Sequence, residues 1–330
     1  MEEIKSIVDK IFKIRTESEF ENLAMQIFKY QFHNNKVYQM YIKTLGLNIV
    51  KIKEIKDIPF LPIDFFKTHK VVSSTQIPEQ IFTSSGTTGS VQSKHFITDI
   101  KVYTQSFLNG FSHHYGEVSN YCILALLPSY LERKGSSLVF MVNELIKQSK
   151  HVESGFYLDN HAELFEMLNS KNLKNKKVLL MGVSFALLDL IENFGISQPN
   201  LIVMETGGMK GRRKELIREE LHEILKKGFG LDSIHSEYGM TELLSQAYSS
   251  GEGIFTTPPW MKILIRDPND PFQLIENGQS GGINVIDLAN LNSCSFIMTQ
   301  DLGRITNRNR FKVLGRFDAS DIRGCNLLVG

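Results

Sequence analysis

The chain has 330 residues, of which 42% are hydrophobic, enough for a sizeable core in one large α/β unit or about two domains. Lysine and arginine together number 37 and aspartate and glutamate 36, and this near-neutral balance argues against a general nucleic-acid-binding protein. The three cysteines, Cys122, Cys294 and Cys325, form no CxxC pair. That pattern argues against a disulfide scaffold and against a structural zinc site.

The first ten residues, MEEIKSIVDK, are charged and lack the apolar stretch of a signal peptide. The longest apolar run, at 121–128, is far shorter than the ~18–20 residues that a membrane-spanning helix needs. We therefore expect a cytoplasmic protein with reduced thiols and no membrane span.

The hydrophobic spacing predicts a helical start over 1–48 and, because of its two prolines, an extended segment at 58–66. From about residue 100, predicted strands alternate with predicted helices, which indicates a mainly parallel sheet with helices on its faces. The strands are expected at 121–127, 177–184, 201–206 and 233–238, and the helices at 99–114, 135–149, 185–193 and 212–227.

The helix at 212–227 should bury Ile217, Leu221, Ile224 and Leu225, and end at Gly228 and Gly230. From about 252 the short alternating runs predict an antiparallel β subdomain. We therefore predict two domains, an α/β core with an N-terminal helical segment at 1–250 and a β subdomain with a short tail at 251–330.

The strongest local signal is the loop sequence SSGTTG, residues 84–89. Two glycines let backbone N–H groups approach an anion closely, and hydroxyl side chains surround them. Such a loop can enclose the phosphates of a nucleotide, although it differs from the P-loop and from the dinucleotide-binding loop. A flexible Ser/Gly linker is the alternative interpretation.

A second signal is SEYGMTE at 236–242, where Gly239 follows a predicted strand and Thr241 is placed to cap a following helix. Glu242 would then lie at the carboxyl edge of the sheet, where it can hold Mg²⁺ on a triphosphate. The alternative is an exposed glutamate in the first turn of that helix, which the helix dipole favours.

Two further signals lie near the end of the sequence. Asp301, in QDLGR, is predicted at a strand end, where it can accept hydrogen bonds from ribose hydroxyls, or alternatively in a β-turn. The segment GRFDASDIRGCNLLVG at 315–330 contains Cys325.

In their order and spacing, SSGTTG, EYGMTE, QDLGR and GRFD resemble the motifs of the adenylate-forming superfamily of acyl-CoA synthetases, luciferases and adenylation domains. The segments FLPIDFFKTH, PPWMKILIRDP and IRGCNL extend the resemblance over nearly the whole chain to LuxE-type acyl-protein synthetases. This resemblance implies the N-terminal α/β domain of that superfamily. Because the sequence stops twelve residues after Asp318, we expect the mobile C-terminal domain to be absent.

The resemblance also implies a role for each matching residue. The loop would enclose the ATP phosphates, Tyr238 would stack on adenine, and Gly207 and Gly208 would lie against the base. Asp301 would bind ribose, and Arg316 would lie near ribose and phosphate. Thr241 would contact the α-phosphate, Glu242 would hold Mg²⁺, and Cys325 would carry the acyl group. The implied ATP-binding residues are Ser84, Ser85, Gly86, Thr87, Thr88, Gly89, Gly207, Gly208, Tyr238, Gly239, Asp301 and Arg316, and the catalytic ones are Thr241, Glu242 and Cys325.

The family often has a lysine three places after the last loop glycine, where this chain has Gln92. Lys94 is the nearest lysine, and it is either a phosphate ligand or a solvated side chain. For Cys325 the alternative is a small apolar residue of a final strand. Cys122 and Cys294 lie in apolar runs and are predicted to be core thiols.

Three functions remain open at this point. The first is an ATP-dependent acyl-protein synthetase that activates a fatty or related carboxylic acid and carries it as a thioester on Cys325 for a partner such as a reductase. The second is an adenylating ligase that passes the acyl group to CoA or a carrier protein. The third is a nucleotide-binding module without catalysis.

Overall fold

A computed structural model describes residues 2–85, 91–127, 135–196, 198–207, 216–276, 278–307 and 309–317. The α-helices are α1 Glu2–Ile11, α2 Glu17–Asn34, α3 Lys36–Thr44, α4 Phe65–Thr68, α5 Ile100–Tyr115, α6 Ser137–Ser149, α7 His161–Leu168, α8 Ser184–Asn193 and α9 Arg218–Phe229. The first seven strands are β1 Leu61–Pro62, β2 Gln80–Thr83, β3 Lys94–Ile97, β4 Tyr121–Leu126, β5 Gly155–Phe156, β6 Lys177–Gly182 and β7 Leu201–Glu205. The remaining strands are β8 His235–Tyr238, β9 Ala247–Ser249, β10 Ile254–Thr256, β11 Met261–Arg266, β12 Gly281–Asp287, β13 Phe296–Asn307 and β14 Arg310–Arg316.

One large sheet organises the described part of the chain. Its strands run in the order β11-β12-β13-β14-β10-β9-β8-β7-β6-β4-β5, and β1 adds to β13. The strands from β5 to β8 pair in parallel, whereas those from β8 to β11 pair antiparallel. The predicted α/β class with a parallel sheet and an antiparallel C-terminal part is therefore confirmed. Hydrogen bonding continues across position 250 from β9 to β10, and the division into domains at that position stays a prediction.

The N-terminal helices form as their sequence predicts. Helix α2 begins with a capping box, in which Thr16 Oγ1 accepts from Glu19 N at 3.2 Å and Glu19 Oε2 accepts from Thr16 N at 2.9 Å. The predicted apolar side chains of α2, including Phe20 and Ile27, are buried. Within the segment 58–66, Leu61–Pro62 forms the extended strand β1, while Phe65 already begins helix α4.

The predicted apolar face of α9 is only partly right. Ile217 precedes the helix and Ile224 lies on it, and both are exposed, whereas Leu221 and Leu225 are buried. The other buried positions of α9 are His222 and Phe229. The buried face of the helix therefore includes a polar side chain, His222, which belongs to a cluster described below. Gly230 ends the helix in the left-handed conformation, but Gly228 lies inside it and packs against α8.

The parallel strands place their carboxyl ends at one edge of the sheet. Gly182 of β6 is level with Glu205 of β7, and Glu205 is level with Ser236 of β8, two residues before Tyr238. Ligands of open parallel sheets bind at this edge. Among the described residues, no helix has the length and apolar character that crossing a bilayer requires.

Candidate active site

A hydrogen-bonded chain of three side chains joins the end of β8, the middle of β13 and the end of β14. The Tyr238 hydroxyl donates to Asp301 Oδ2 at 2.8 Å, and Arg316 Nε lies 3.3 Å from Asp301 Oδ1. Tyr238 is buried, with its ring packed edge-on against Phe255 and Phe311. Arg316 is exposed, so the Asp301 carboxyl group contacts a buried phenol on one side and a guanidinium on the solvent side.

The strand-end and turn interpretations of Asp301 were both wrong. Asp301 lies inside the long strand β13, opposite Arg316 of β14, and the pairing shifts register just after it between Leu302 and Gly303. A bulge at this point directs a side chain out of the regular ladder. The position therefore follows from the irregular pairing of two strands rather than from a chain reversal.

The root of the predicted phosphate loop is closed by a reciprocal pair of hydrogen bonds. Ser84 N donates to Ser93 O at 3.1 Å, and Ser93 N donates to Ser84 Oγ at 2.9 Å. Ser85 is exposed at the start of the loop. The loop residues Gly86, Thr87, Thr88 and Gly89 lie outside the described residues. Lys94 is exposed on β3, just beyond the loop.

Glu242 lies directly behind this loop root. Only 5% of it is exposed, and its carboxyl is hydrogen-bonded to Ser93, so the predicted alternative of an exposed first-turn glutamate was wrong. Burial raises the pKa of Glu242, while the hydrogen bond from Ser93 and the positive charge of Arg316 act in the opposite direction. Arg316 therefore contacts Asp301 and also acts electrostatically on Glu242.

The helix that Thr241 was expected to cap does not form. Asp287 Oδ2 accepts hydrogen bonds from Leu244 N and Ser245 N at 2.8 and 2.9 Å, and these N–H groups are thereby diverted from a helical pattern. The ring of His95 contacts the Thr241 carbonyl through Nδ1 at 2.8 Å. We call residues 239–246 the catalytic turn, after the catalytic roles that the sequence resemblance predicts for Thr241 and Glu242. Buried side chains hold this turn on both sides.

The adenine-side glycines were predicted at Gly207 and Gly208, and only Gly207 belongs to the described residues. Gly207 has φ +73°, and its N–H donates to Glu205 Oε2 at 2.7 Å. Burial by itself would raise the pKa of Glu205, but contacts with His222 and Arg218 outweigh burial and hold it at about 2. An ionised buried carboxylate therefore anchors the backbone just after β7.

Sequence reasoning missed Glu237, which precedes Tyr238 on β8 and is buried. Burial, with the negative charge of Glu205 as the second cause, raises the pKa of Glu237 to about 8. A side chain at Gly239 would collide with its carboxyl. Beside it, Gln246 Oε1 and the hydroxyl of Tyr248 are buried without hydrogen-bond partners. The Glu237 carboxyl thus lies near two unpaired polar atoms, on the side of β8 opposite to the Tyr238 side chain.

Sequence reasoning also missed two buried charged residues that hydrogen-bond to the strands and turn of the site, Arg266 and Asp287. Arg266 is buried and donates to Thr299 O at 2.7 Å and to Asn284 Oδ1 at 2.9 Å, below the strand that carries Asp301. Asp287 ends the apolar strand sequence GGINVID. A charged residue in such a run is the signal by which it could have been found.

The remaining candidate residues divide into three groups. His235 precedes the Tyr-Gly motif in the sequence, which suggests either a pocket residue or a core histidine, and its Nδ1 contacts the Tyr115 hydroxyl at 3.0 Å. Cys122 and Cys294 are buried core thiols, as predicted, and burial raises the pKa of both. Cys325 and Asp318 lie outside the described residues.

The structure is similar to known adenylate-forming enzymes of low sequence identity. The 2-hydroxyisobutyryl-CoA ligase in complex with 2-HIB-AMP and CoA superposes with a TM-score of 0.67 at 13% identity, covering 96% of this chain and 69% of the ligase. ATP-bound MatB from Rhodopseudomonas palustris superposes with a TM-score of 0.52 at 16% identity, covering 72% of this chain and 47% of MatB. At these identities the similarity concerns the fold alone, and the match spans less than half of MatB.

Among curated proteins, none is similar to this chain by sequence. One family does match, described as "Acyl-protein synthetase, LuxE", and the match covers residues 13–330. That range is nearly the whole chain and includes each of the segments from which the site is built. The chain therefore belongs to the LuxE acyl-protein synthetase family.

Proposed function

We infer that this protein activates a carboxylic acid with ATP as an acyl adenylate and transfers the acyl group to its own Cys325 for delivery to a partner such as a reductase. The observation that carries this inference is the convergence of four distant segments. The loop root at Ser84 and Ser93, the catalytic turn, Asp301 and Arg316 are joined by direct contacts between side chains or backbone.

The nucleotide would lie across the carboxyl edge of the parallel strands. Asp301 would accept hydrogen bonds from the ribose hydroxyls, since its contacts with Tyr238 and Arg316 hold its carboxyl group in place. The loop Ser84–Gly89 would enclose the phosphates, and Gly207 with Gly208 would line the adenine side. Tyr238 is buried between aromatic rings, and its hydroxyl is bonded to Asp301. Adenine would therefore contact only the small part of the Tyr238 ring that remains accessible.

The residues present fit a magnesium ion held through a single protein carboxylate. Mg²⁺ usually keeps several waters and binds one or two carboxylates together with substrate phosphates. Glu242 offers such a carboxylate next to the loop root, with Ser93 orienting it. When bound, the ion would neutralise charge on the phosphates.

In the first step, a carboxylate oxygen of the acid attacks the α-phosphorus of ATP. The new P–O bond forms as the bond to the bridging oxygen breaks, and pyrophosphate leaves with that electron pair. Thr241 contacts the α-phosphate in this arrangement, and Arg316 offsets the negative charge. The contribution of the protein is to position the reactants and stabilise charge.

In the second step, the thiolate of Cys325 attacks the carbonyl carbon of the acyl adenylate. A C–S bond forms, the C–O bond to AMP breaks, and AMP leaves with the electron pair. The thiol proton is released before the attack, since the thiolate is the nucleophile. Cys122 and Cys294 are buried, which disfavours both as the acyl carrier.

A second candidate function is an adenylating ligase that transfers the acyl group to CoA. The similarity to 2-hydroxyisobutyryl-CoA ligase in complex with 2-HIB-AMP and CoA favours it. The two candidates share the adenylation step and differ in the acceptor. Only the first requires Cys325.

Intact-protein mass spectrometry separates the candidates. Wild type, Cys325→Ser and Cys122→Ala are incubated with ATP, Mg²⁺ and a panel of fatty and shorter carboxylic acids, and pyrophosphate is measured in parallel. We expect an acyl mass increment on wild type and Cys122→Ala but not on Cys325→Ser. Pyrophosphate release with no increment on any protein would favour the CoA ligase. Absence of both would contradict adenylation of the acids tested.

A further inference from the structure

Three buried polar atoms beside the catalytic turn have no hydrogen-bond partner. They are His95 Nε2, Thr98 Oγ1 and Asn290 Oδ1. All three residues are nearly or fully buried. They also line one cavity of about 10 Å³ between β3 and the 3-10 helix Leu288–Asn292.

The hydrogen bonds that these residues do make fix the roles of the unpaired atoms. A carbonyl only accepts, so the contact with Thr241 O means that Nδ1 of His95 carries the proton. Burial lowers the pKa of His95 to about 4, although the Thr241 carbonyl and the nearby Asn290 side chain favour the protonated ring. The ring is therefore neutral, and Nε2 is an acceptor. Asn290 Nδ2 donates to Glu242 O at 2.7 Å, which leaves Oδ1 as a second acceptor. Thr98 supplies a hydroxyl that can donate.

We propose that a single water molecule binds in this cavity, donating to His95 Nε2 and Asn290 Oδ1 and accepting from the Thr98 hydroxyl. The donors and acceptors then balance, with every orphaned atom satisfied. The volume agrees, because one water needs about 10–15 Å³ measured in this way and two to four polar partners. A dry cavity would leave three buried polar atoms unpaired.

This water has a function if the proposed adenylation is correct. His95 and Asn290 bind the consecutive carbonyls of Thr241 and Glu242. The water joins these two side chains to each other, so the catalytic turn is fixed by a continuous hydrogen-bonded bridge. His95, Thr98 and Asn290 are therefore positioning residues that act through Thr241 and Glu242.

The first test is a crystal structure of the full chain at high resolution. We expect density for one water within hydrogen-bond distance of all three atoms. Imidazole ¹⁵N spectra of the wild type should show His95 as the neutral tautomer protonated at Nδ1, with Nε2 accepting a hydrogen bond. An empty cavity, or a direct bond between His95 Nε2 and Asn290, would overturn the proposal.

The second test uses Thr98→Val, which replaces the hydroxyl by a methyl group of similar size, with Thr98→Ser as the matched control. We expect Val to expel the water, shift the Nε2 resonance and lower kcat for pyrophosphate release about tenfold at nearly unchanged KM. Thr98→Ser should retain the water, the wild-type Nε2 resonance and the wild-type kcat. Retained water and unchanged spectra in Val would contradict the bridge. Failure of wild type to release pyrophosphate would contradict the proposed function alone, because density and spectra do not depend on turnover.

Discussion

At the scale of single residues, Glu237 is the most unusual group next to the site. A carboxyl with a pKa of about 8 is uncharged at neutral pH, and no described cation acts on it. Its environment therefore suits a neutral hydrogen-bonding group better than an ion. The folded protein binds a proton there that the unfolded chain releases above its ordinary pKa of 4.5.

That difference predicts how Glu237→Gln changes the pH dependence of stability. The native state binds more protons than the unfolded state, so the contribution of Glu237 to stability falls as pH rises from about 4.5 to about 8. Gln cannot ionise. We expect the free energy of unfolding of the variant, relative to wild type, to increase by about 2–4 kcal/mol over this range, measured by urea denaturation at several pH values. The exposed Glu166→Gln is the matched surface control. Curves of unfolding free energy against pH that run parallel for Glu237→Gln and wild type would refute the prediction.

Asp301 is the residue on which nucleotide affinity should depend most. Asp301→Asn removes the charge that binds Arg316 and one acceptor that ribose would use. Loss of a charge-assisted hydrogen bond costs about 1.5–3 kcal/mol, which corresponds to a Kd for ATP raised roughly 10- to 100-fold by calorimetry. Tyr238→Phe deletes only the buried donor to Asp301 and should have a smaller effect. Equal or reversed effects would show that Asp301 does not bind the nucleotide.

At the scale of elements, the contact between α8 and α9 depends on a glycine. A Cβ on Gly228 would lie 2.7 Å from Cβ of Ile191 and 2.9 Å from its Cγ2. A change of rotamer cannot remove a clash with a Cβ, so the helices must separate. Overpacking of this kind costs about 1–3 kcal/mol, and better helix propensity returns about 1 kcal/mol.

We therefore expect Gly228→Ala to lower the free energy of unfolding by about 1 kcal/mol, measured by chemical denaturation. Gly195→Ala is the matched control, because no atom lies within 4 Å of its added Cβ. That change should be neutral or slightly stabilising. A stabilised Gly228→Ala would mean that the two helices adjust without cost.

The elements also show what local sequence could and could not predict. Helical spacing located α5, α6 and α8 to within a few residues, since their buried faces are set by neighbouring positions. The same reasoning predicted a helix after Thr241 that does not exist. The partner that prevents it, Asp287, is distant in sequence. The burial of Glu242 against Ser93 depends on an equally distant contact.

At the scale of the whole molecule, Gln31 links the N-terminal helices to the site. Its Nε2 donates to the carbonyls of Asn290 and Leu291 at 3.0 and 2.9 Å and to Ser295 Oγ at 3.1 Å. Its Oε1 accepts from Ser295 N at 2.9 Å. One fully buried side chain thus holds the same short helix that fixes Glu242 through Asn290.

Gln31→Leu should destabilise the entire protein. The apolar replacement leaves the Ser295 N–H and several carbonyls buried without partners, at a cost of about 2–4 kcal/mol. We expect Tm, measured by calorimetry, to fall by roughly 5–10 °C. The control Gln26→Leu lies on the exposed side of the same helix and should change Tm little. Similar shifts for both variants would show that Gln31 contributes no more than a surface position.

The pairing of β1 with β13 has a consequence for biosynthesis. Leu61 and Pro62 of β1 pair with Ile297 and Met298 of β13, and Gln31 accepts a hydrogen bond from Ser295 N. During translation, the segment that holds Asp301 emerges long after the N-terminal helices that it must join. Those helices expose their apolar faces on the ribosome until about residue 300 is available. Nascent chains should accordingly depend on chaperones that bind hydrophobic segments, and they should fold late and slowly because their contacts are distant.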